Sequence, residues 1–123
     1  MDDLKKYFDG KKGIGVMATS DAQGKVNAAV YSRPHFMEDG LVAFIMRDRL
    51  THHNLKSNPQ AAFLFVEEGP GYIGKRLYLT KVKEEENSPL IEELSRRDYK
   101  PEKTPTRFLV FFKIDNILPL IGE

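Results

Sequence analysis

Alternating and continuous runs of apolar residues divide the chain into six predicted β-strands. The first two, at residues 14–20 and 26–32, flank a turn at residues 21–25 that contains Gly24, and so predict a hairpin. The third, at residues 41–46, is apolar at every position, which is typical of a strand buried on both faces by a helix or a second subunit. The other three are predicted at residues 61–66, 76–82 and 107–114.

Short helices are predicted before and between these strands. Residues 2–8 can form one or two turns, and a second helix is expected from Thr51, with Thr51 as its N-cap and a hydrophobic staple between Leu50 and Leu55. It should end at residue 58, because a residue before proline avoids helical geometry. Ser88 is a candidate N-cap for a third helix, with Pro89 at its first position.

This pattern predicts one mainly β (α+β) domain over residues 1–123, a six-stranded antiparallel β-barrel with short helices. A polar loop is expected at residues 99–106. The apolar third strand, the Phe-rich last strand and the apolar tail at residues 118–121 exceed what one small barrel needs to fill itself. A twofold interface that covers the surplus is therefore expected.

Composition narrows the classes of function. Lysine and arginine number 19 against 18 acidic residues, and this net charge of +1 argues against nucleic-acid or anionic-membrane partners. The chain has no cysteine, which excludes disulfides, thiolate nucleophiles and cysteine-based zinc sites. No apolar run has the length of a membrane span, and residues 1–6 lack the apolar core of a signal peptide. A cytoplasmic protein is expected.

The segment after the third strand carries the clearest candidate chemistry. Arg47 and Arg49 come directly after the strand, and Thr51 follows at the start of a helix. Backbone N–H groups at a helix start attract anions, and the arginine fork matches phosphate oxygens. A mononucleotide phosphate site fits this arrangement. The same residues also fit a capping threonine beside two solvated arginines, and both interpretations stay open at this point.

Two adjacent histidines follow in the same helix. Neighbouring residues on a helix point about 100° apart, so His52 and His53 are not expected to share a metal ion. His52 is a candidate for lining the phosphate or for donating a proton to a bound cofactor, because histidine titrates near neutral pH.

Taken in order, these segments resemble the pyridoxamine-5′-phosphate-oxidase-like FMN-binding split barrels. The resemblance runs from residue 13 to residue 82. It rests on Ala18-Thr19-Ser20 and Gly24-Lys25-Val26-Asn27 in the first hairpin, the basic and hydroxylic segment, and Asn54-Leu55 with Asn58-Pro59-Gln60-Ala61-Ala62. The true oxidase has an Arg-x-His motif near its C-terminus. Here Arg33-Pro34-His35 stands between the second and third strands instead, so that enzyme itself is not expected.

The resemblance implies a split-barrel homodimer with FMN at the subunit interface. The implied cofactor-binding residues are Asn27, Ala28, Ala29 and Val30 beside the flavin ring, Met46 and Arg47 beside the ribityl chain and phosphate, Arg49, Thr51 and Asn54 in the phosphate cluster, and Tyr72 and Lys75 beside the partner's flavin. Leu50 stands where the family often has a basic residue.

The function implied is that of an FMN-dependent oxidoreductase or electron carrier, with NAD(P)H or a small redox protein as the candidate electron partner. A flavin- or haem-binding protein without turnover is one alternative, with His52 or His53 as the iron ligand. A deazaflavin-dependent reductase on the same fold is another. The sequence names no catalytic acid or base.

Overall fold

Seven strands and three helices make up the part of the chain that the structure describes. The computed structural model describes residues 2–95 and 106–122, so most of the predicted loop at residues 99–106 lies outside it. The elements are α1 (Asp2–Phe8), β1 (Gly13–Ser20), β2 (Val26–Tyr31), β3 (His35–Phe36), β4 (Val42–Arg47), α2 (Leu50–Ser57), β5 (Gln60–Glu67), β6 (Gly74–Glu86), α3 (Leu90–Leu94) and β7 (Arg107–Pro119).

The strands form one antiparallel sheet in the order β2-β1-β5-β6-β7-β4-β3, curled into a half-barrel. The predicted split-barrel class is confirmed, and all six predicted strands are present. The seventh, β3, has two residues, His35 and Phe36, paired with β4. Two residues are too few to produce a periodicity that sequence analysis can detect.

The main core fills the inside of the curl. Phe44 packs against Phe63 and Phe112, with ring centroids 5.0 and 5.8 Å apart, and all three are buried. Helix α1 closes one end of the half-barrel with Leu4 and Phe8, which belong to the same core. Most of the apolar area that the chain hides is therefore internal to one barrel.

A second, smaller core lies on the opposite face of β4 and β7. Ile91 of α3 packs there with Ala43, Leu109 and Phe111. The prediction that the third strand is buried on both faces is confirmed, and α3 supplies the cover. Helix α3 begins at Leu90 with Pro89 at the N-cap position, so the predicted Ser88 cap is displaced by one residue, although the Ser88 Oγ still accepts a hydrogen bond from the backbone N–H of Leu90 at 3.3 Å.

The surplus of apolar surface lies only in part where it was predicted, because of the three predicted segments the tail alone is exposed, with Ile121 at 67%. The third strand and the phenylalanines of the last strand are buried within the chain. Instead, the outward-facing side chains of β1, β2 and β5 form an apolar surface, here called the outer face, in which Ile14, Val26 and Val30 are 62%, 79% and 74% exposed. The strand register adds to it Val16, Ala18, Ala28, Ala62, Leu64 and Val66.

No helix among the described residues is both long and apolar enough to cross a bilayer.

Candidate functional site

The junction between β4 and α2 differs in one respect from its prediction. Helix α2 begins at Leu50, and Arg49 occupies the N-cap position in an extended conformation without a side-chain cap bond. The predicted Thr51 cap is therefore wrong, and so is the staple, because Leu50 is itself helical and 53% exposed. The Thr51 hydroxyl is buried and accepts a hydrogen bond from Asn27 Nδ2 at 3.2 Å, which ties α2 to β2.

A pocket of about 510 Å³ opens at this junction, and we call it the arginine pocket. It is bounded by β2, by the end of β4, by the start of α2 and by the first residue of β7. Its lining residues are Asn27, Ala29, Val30, Tyr31, Ser32, His35, Ile45, Arg47, Arg49, Leu50, Thr51, Ser95 and Arg107.

Three arginines contribute to this lining. Arg47 and Arg107 are directly opposite each other in the pairing of β4 with β7, and Arg49 follows two residues along the chain. Like charges in such a register repel, so an anion in the pocket would be stabilised by all three. Arg107 is buried and forms an ion pair with Glu92 of α3.

Tyr31 contributes a neutral hydroxyl to the same pocket. Burial raises the pKa of its phenol above the ordinary value of 10.0, while a hydrogen bond with Thr51 and the charge of Arg49 offset part of that rise. The hydroxyl therefore stays protonated at neutral pH. It joins Thr51 and Asn27 as polar, uncharged groups beside the arginines.

The pocket brings together half of the predicted cofactor-binding residues. Asn27, Ala29, Val30, Arg47, Arg49 and Thr51 all line it. Ala28 lies between two of them on β2, but strand alternation turns its side chain to the outer face. Met46 is likewise turned away from its neighbour Arg47, and its side chain is buried in the main core.

His52 and Asn54 lie on the buried face of α2 and do not line the pocket. His52 is completely buried, and its ring stacks on Phe108 with centroids 3.8 Å apart. Asn54 is buried as well, and its Nδ2 donates to Thr19 Oγ1 at 3.1 Å, which fastens α2 to β1. Both residues thus hold the helix against the sheet.

Tyr72 lies in the connection between β5 and β6, Lys75 is the second residue of β6, and neither lines the pocket of its own chain. Tyr72 is 75% exposed and has a positive φ of 50°. The Nζ of Lys75 stands 4.7 Å from the ring centroid of Tyr7, in cation–π distance. Their role towards a partner's flavin stays a prediction.

Sequence reasoning missed several lining residues, of which Arg107 and His35 are the most informative. Arg107 opens a strand that reads as core, and only its register with β4 reveals that it stands beside Arg47. His35 belongs to the Arg33-Pro34-His35 segment, whose position between strands made it look irrelevant. In the structure β3 carries His35 to the pocket wall.

A second cavity, of about 760 Å³, lies beside α1 and β3. Its lining mixes the two lysines of α1 and Arg33 with the carboxylates of Asp2 and Asp9. Charges of both signs offset each other there, so it attracts an anion less than the arginine pocket does. His35 lines both cavities and forms part of the wall between them.

Several solved structures share this fold. An FMN-binding protein from Syntrophomonas wolfei subsp. wolfei aligns with a TM-score of 0.76 at 20% identity, over 99% of this chain and 86% of that one. HupZ of Group A Streptococcus aligns at 0.67 and 16% identity, over 98% and 93% of the two chains. An F420 reductase aligns at 0.63 and 16% identity, over 87% and 90%.

A search of curated protein sequences finds no match. The family model described as pyridoxamine 5′-phosphate oxidase matches residues 2–115, which is nearly the whole sequence. The chain therefore belongs to the pyridoxamine 5′-phosphate oxidase family.

Proposed function

We propose that this chain binds FMN in the arginine pocket and works as an FMN-dependent oxidoreductase or electron carrier. The observation that supports this most is the convergence of Arg47, Arg49 and Arg107 on one pocket at the start of a helix. Similarity to an FMN-binding protein supports the choice of flavin. When bound, FMN supplies the redox chemistry, and the protein supplies position and electrostatics.

The phosphate end of the cofactor is assigned to the start of α2. The first backbone N–H groups of a helix have no acceptor within the helix, and the helix dipole favours negative charge there. Arg49 and Thr51 flank these groups and add a charged fork and a hydroxyl. Together they offer more donors than one phosphate needs, which favours a dianion over a neutral ligand.

The ring of the flavin is assigned to β2. Asn27 and Ala29 line the pocket from this edge strand, and the small side chain of Ala29 lets a flat ring approach the backbone. Backbone N–H groups at this edge can donate to acceptor atoms on the ring. Positive charge from Arg47 would then stabilise a reduced, anionic flavin.

We also propose that two copies associate through the outer face, which places the pocket beside the subunit interface. The outer face is apolar across three strands, and Val30 belongs both to it and to the pocket lining. A surface of this kind on a small chain is typical of a twofold interface. Tyr72 and Lys75 of a second copy are the residues we assign to the far side of the flavin.

A reductase that uses a deazaflavin cofactor is the second candidate, favoured by similarity to an F420 reductase. The haem alternative has less support, because both ring nitrogens of His52 lie within hydrogen-bond distance of carboxylates, which leaves the exposed His53. The visible spectrum of the purified protein separates flavin from haem. Competition between FMN and F420 for the same site separates the two flavins.

The decisive experiment is a fluorescence titration with FMN and with riboflavin, which lacks the phosphate. The double variant Arg49→Ala with Thr51→Ala should raise the Kd for FMN by about ten-fold or more, the equivalent of one charge-assisted hydrogen bond, and leave riboflavin binding nearly unchanged. Lys56→Ala, at the exposed far end of α2, is the matched control. Equal FMN affinity in all three proteins would overturn the assignment of this pocket.

A further inference from the structure

The buried ring of His52 is held from three sides. Its Nδ1 lies 3.2 Å from Asp48 Oδ1, and its Nε2 lies 3.0 and 3.1 Å from the two carboxylate oxygens of Glu84 on β6. Phe108 of β7 stacks on the ring at an interplanar angle of 16°. Lys81 Nζ also contacts Glu84, at 2.7 Å. The cluster therefore joins α2 to two strands.

While Asp48 and Glu84 are both ionised, the two hydrogen bonds of the ring can exist together in only one protonation state. An ionised carboxylate can only accept, and a neutral imidazole has one N–H, so donation to Asp48 and Glu84 at once requires the imidazolium. Burial works to raise the pKa of Glu84, but hydrogen bonds and charge from Lys81 and His52 outweigh it and hold that pKa below its ordinary value. Glu84 is thus the ionised acceptor that the arrangement needs.

The charges around the ring balance. Of the charged residues bonded to the ring or to its partners, Asp48 precedes α2 and Glu84 and Lys81 come from β6, while Phe108 of β7 adds an uncharged ring. An imidazolium and an ammonium thus face two carboxylates. A buried charge is costly unless it is paired, and the cluster offers the ring a carboxylate at each of its two nitrogens.

The cluster also determines where two pocket residues stand. Asp48 lies between Arg47 and Arg49 in sequence, and the backbone N–H of Arg49 donates to the carbonyl of Arg47 at 2.9 Å in a tight turn. By holding the Asp48 carboxylate, the ring anchors the middle of this turn. The two arginines on either side of that anchor both line the pocket.

We propose that His52, as an imidazolium bridging Asp48 and Glu84, is a positioning residue that sets Arg47 and Arg49 for phosphate recognition. The inference rests on the proposed function for the identity of the ligand. In this proposal His52 does not touch the cofactor. Its effect is on the selectivity of the pocket for a phosphorylated flavin.

The first test compares FMN with riboflavin in four proteins. His52→Gln should raise the Kd for FMN by about ten-fold through the loss of charge-assisted hydrogen bonds, with little change for riboflavin. His53→Gln, one residue along and exposed, should match the wild type. Glu84→Gln keeps the stacked ring and removes one carboxylate, so it should shift FMN affinity in the same direction even if His52→Gln folds poorly.

Two measurements on the cofactor-free protein decide the claim independently of FMN. The ¹⁵N shifts of the His52 ring at pH 7 should show both nitrogens protonated. Hydrogen exchange of the Arg49 and His53 amides, which hold the turn and the first helical bond, should be faster in His52→Gln than in His53→Gln.

The outcomes separate the two proposals. If the wild type does not bind FMN, the proposed function is wrong, while the ¹⁵N shifts of the His52 ring and the amide exchange rates still test the anchored turn. If the wild type and His52→Gln prefer FMN over riboflavin to the same extent, only the inference about His52 is wrong. A single neutral tautomer at pH 7, or unchanged exchange, overturns the bridging imidazolium.

Discussion

Replacing Val30 with glutamate tests whether the outer face is a subunit interface. Val30 is the fifth of the six residues of the edge strand β2 and is 74% exposed in the single chain. A glutamate there therefore meets no clash within its own chain and should leave the monomer fold intact. In a dimer that buries this face, the same side chain would be a buried, unpaired charge.

The magnitude follows from the buried area. Full burial of one valine contributes about 1.5–3 kcal/mol, so the two copies of Val30 in a twofold interface contribute about 3–6 kcal/mol. Loss of that contribution weakens the dimer Kd by about 100- to 10,000-fold. Desolvation of two carboxylates adds to this, so Val30→Glu should be monomeric at micromolar concentration.

Sedimentation velocity over a range of concentrations measures the effect directly, with circular dichroism as the check on folding. Ile121→Glu is the control, because Ile121 is 67% exposed but lies in the C-terminal tail, outside the outer face. The reasoning is refuted if the wild type is monomeric at tens of micromolar, or if Val30→Glu and Ile121→Glu dissociate equally.

Three further predictions concern stability. Gly15→Ala should cost about 1–3 kcal/mol in urea unfolding, because its new Cβ would lie 2.5 Å from both the Phe63 ring and the Tyr31 carbonyl oxygen. Phe63→Ala should cost about 3–5 kcal/mol, since it removes a buried ring that packs on Phe44, and a loss under 1 kcal/mol would contradict that core. Glu84 has a lowered pKa, so its contribution to the free energy of unfolding is complete above the ordinary pKa of 4.5 and disappears as the pH falls below that value. Glu84→Gln should therefore flatten the acid side of the curve of stability against pH. An unchanged curve would contradict the ion-pair cluster.

Local patterns predicted six of the seven strands because each of those six has a clear apolar signature. The hairpin between β1 and β2 is the sharpest example: Asp21 Oδ1 accepts from two backbone N–H groups in the turn, and Gly24 takes the positive φ of 83° that the turn requires. Such information lies within a few residues of the chain and is visible in any window of that size.

The lengths of the strands were harder to predict than their positions. Strand β6 extends to Glu86, four residues beyond its prediction, although its end is a run of charges that looks solvated. Those residues pair with β7 from Lys83↔Phe111 to Glu86↔Phe108, after a bulge between Lys81 and Lys83. Cross-strand pairing with a buried partner outweighs an unfavourable local composition. The partner lies more than twenty residues away, beyond any local pattern.

The position of the surplus apolar surface could not be predicted either. Continuous apolarity in β4 correctly indicated burial on two faces, but the sequence does not say whether a helix or another subunit covers the second one. Helix α3, through Ile91, does so here. Alternating strands such as β2 look ordinary, and only the absence of a covering element among the described residues reveals the outer face.

The tripeptide Arg47-Asp48-Arg49 shows why residue types were easier to predict than directions. Both arginines line the pocket, whereas Asp48 between them contacts His52 on the other side. In the sequence these three residues form a charged segment that ends a strand, and His52 looks like one more phosphate ligand. The backbone turn from Arg47 to Arg49 gives them different roles, because the two arginines line the pocket while the Asp48 carboxylate contacts His52. A substitution at Asp48 should consequently act on phosphate selectivity without touching the ligand, and Asp48→Asn should reproduce the FMN defect of His52→Gln in weaker form, since Asp48 is the more solvated partner.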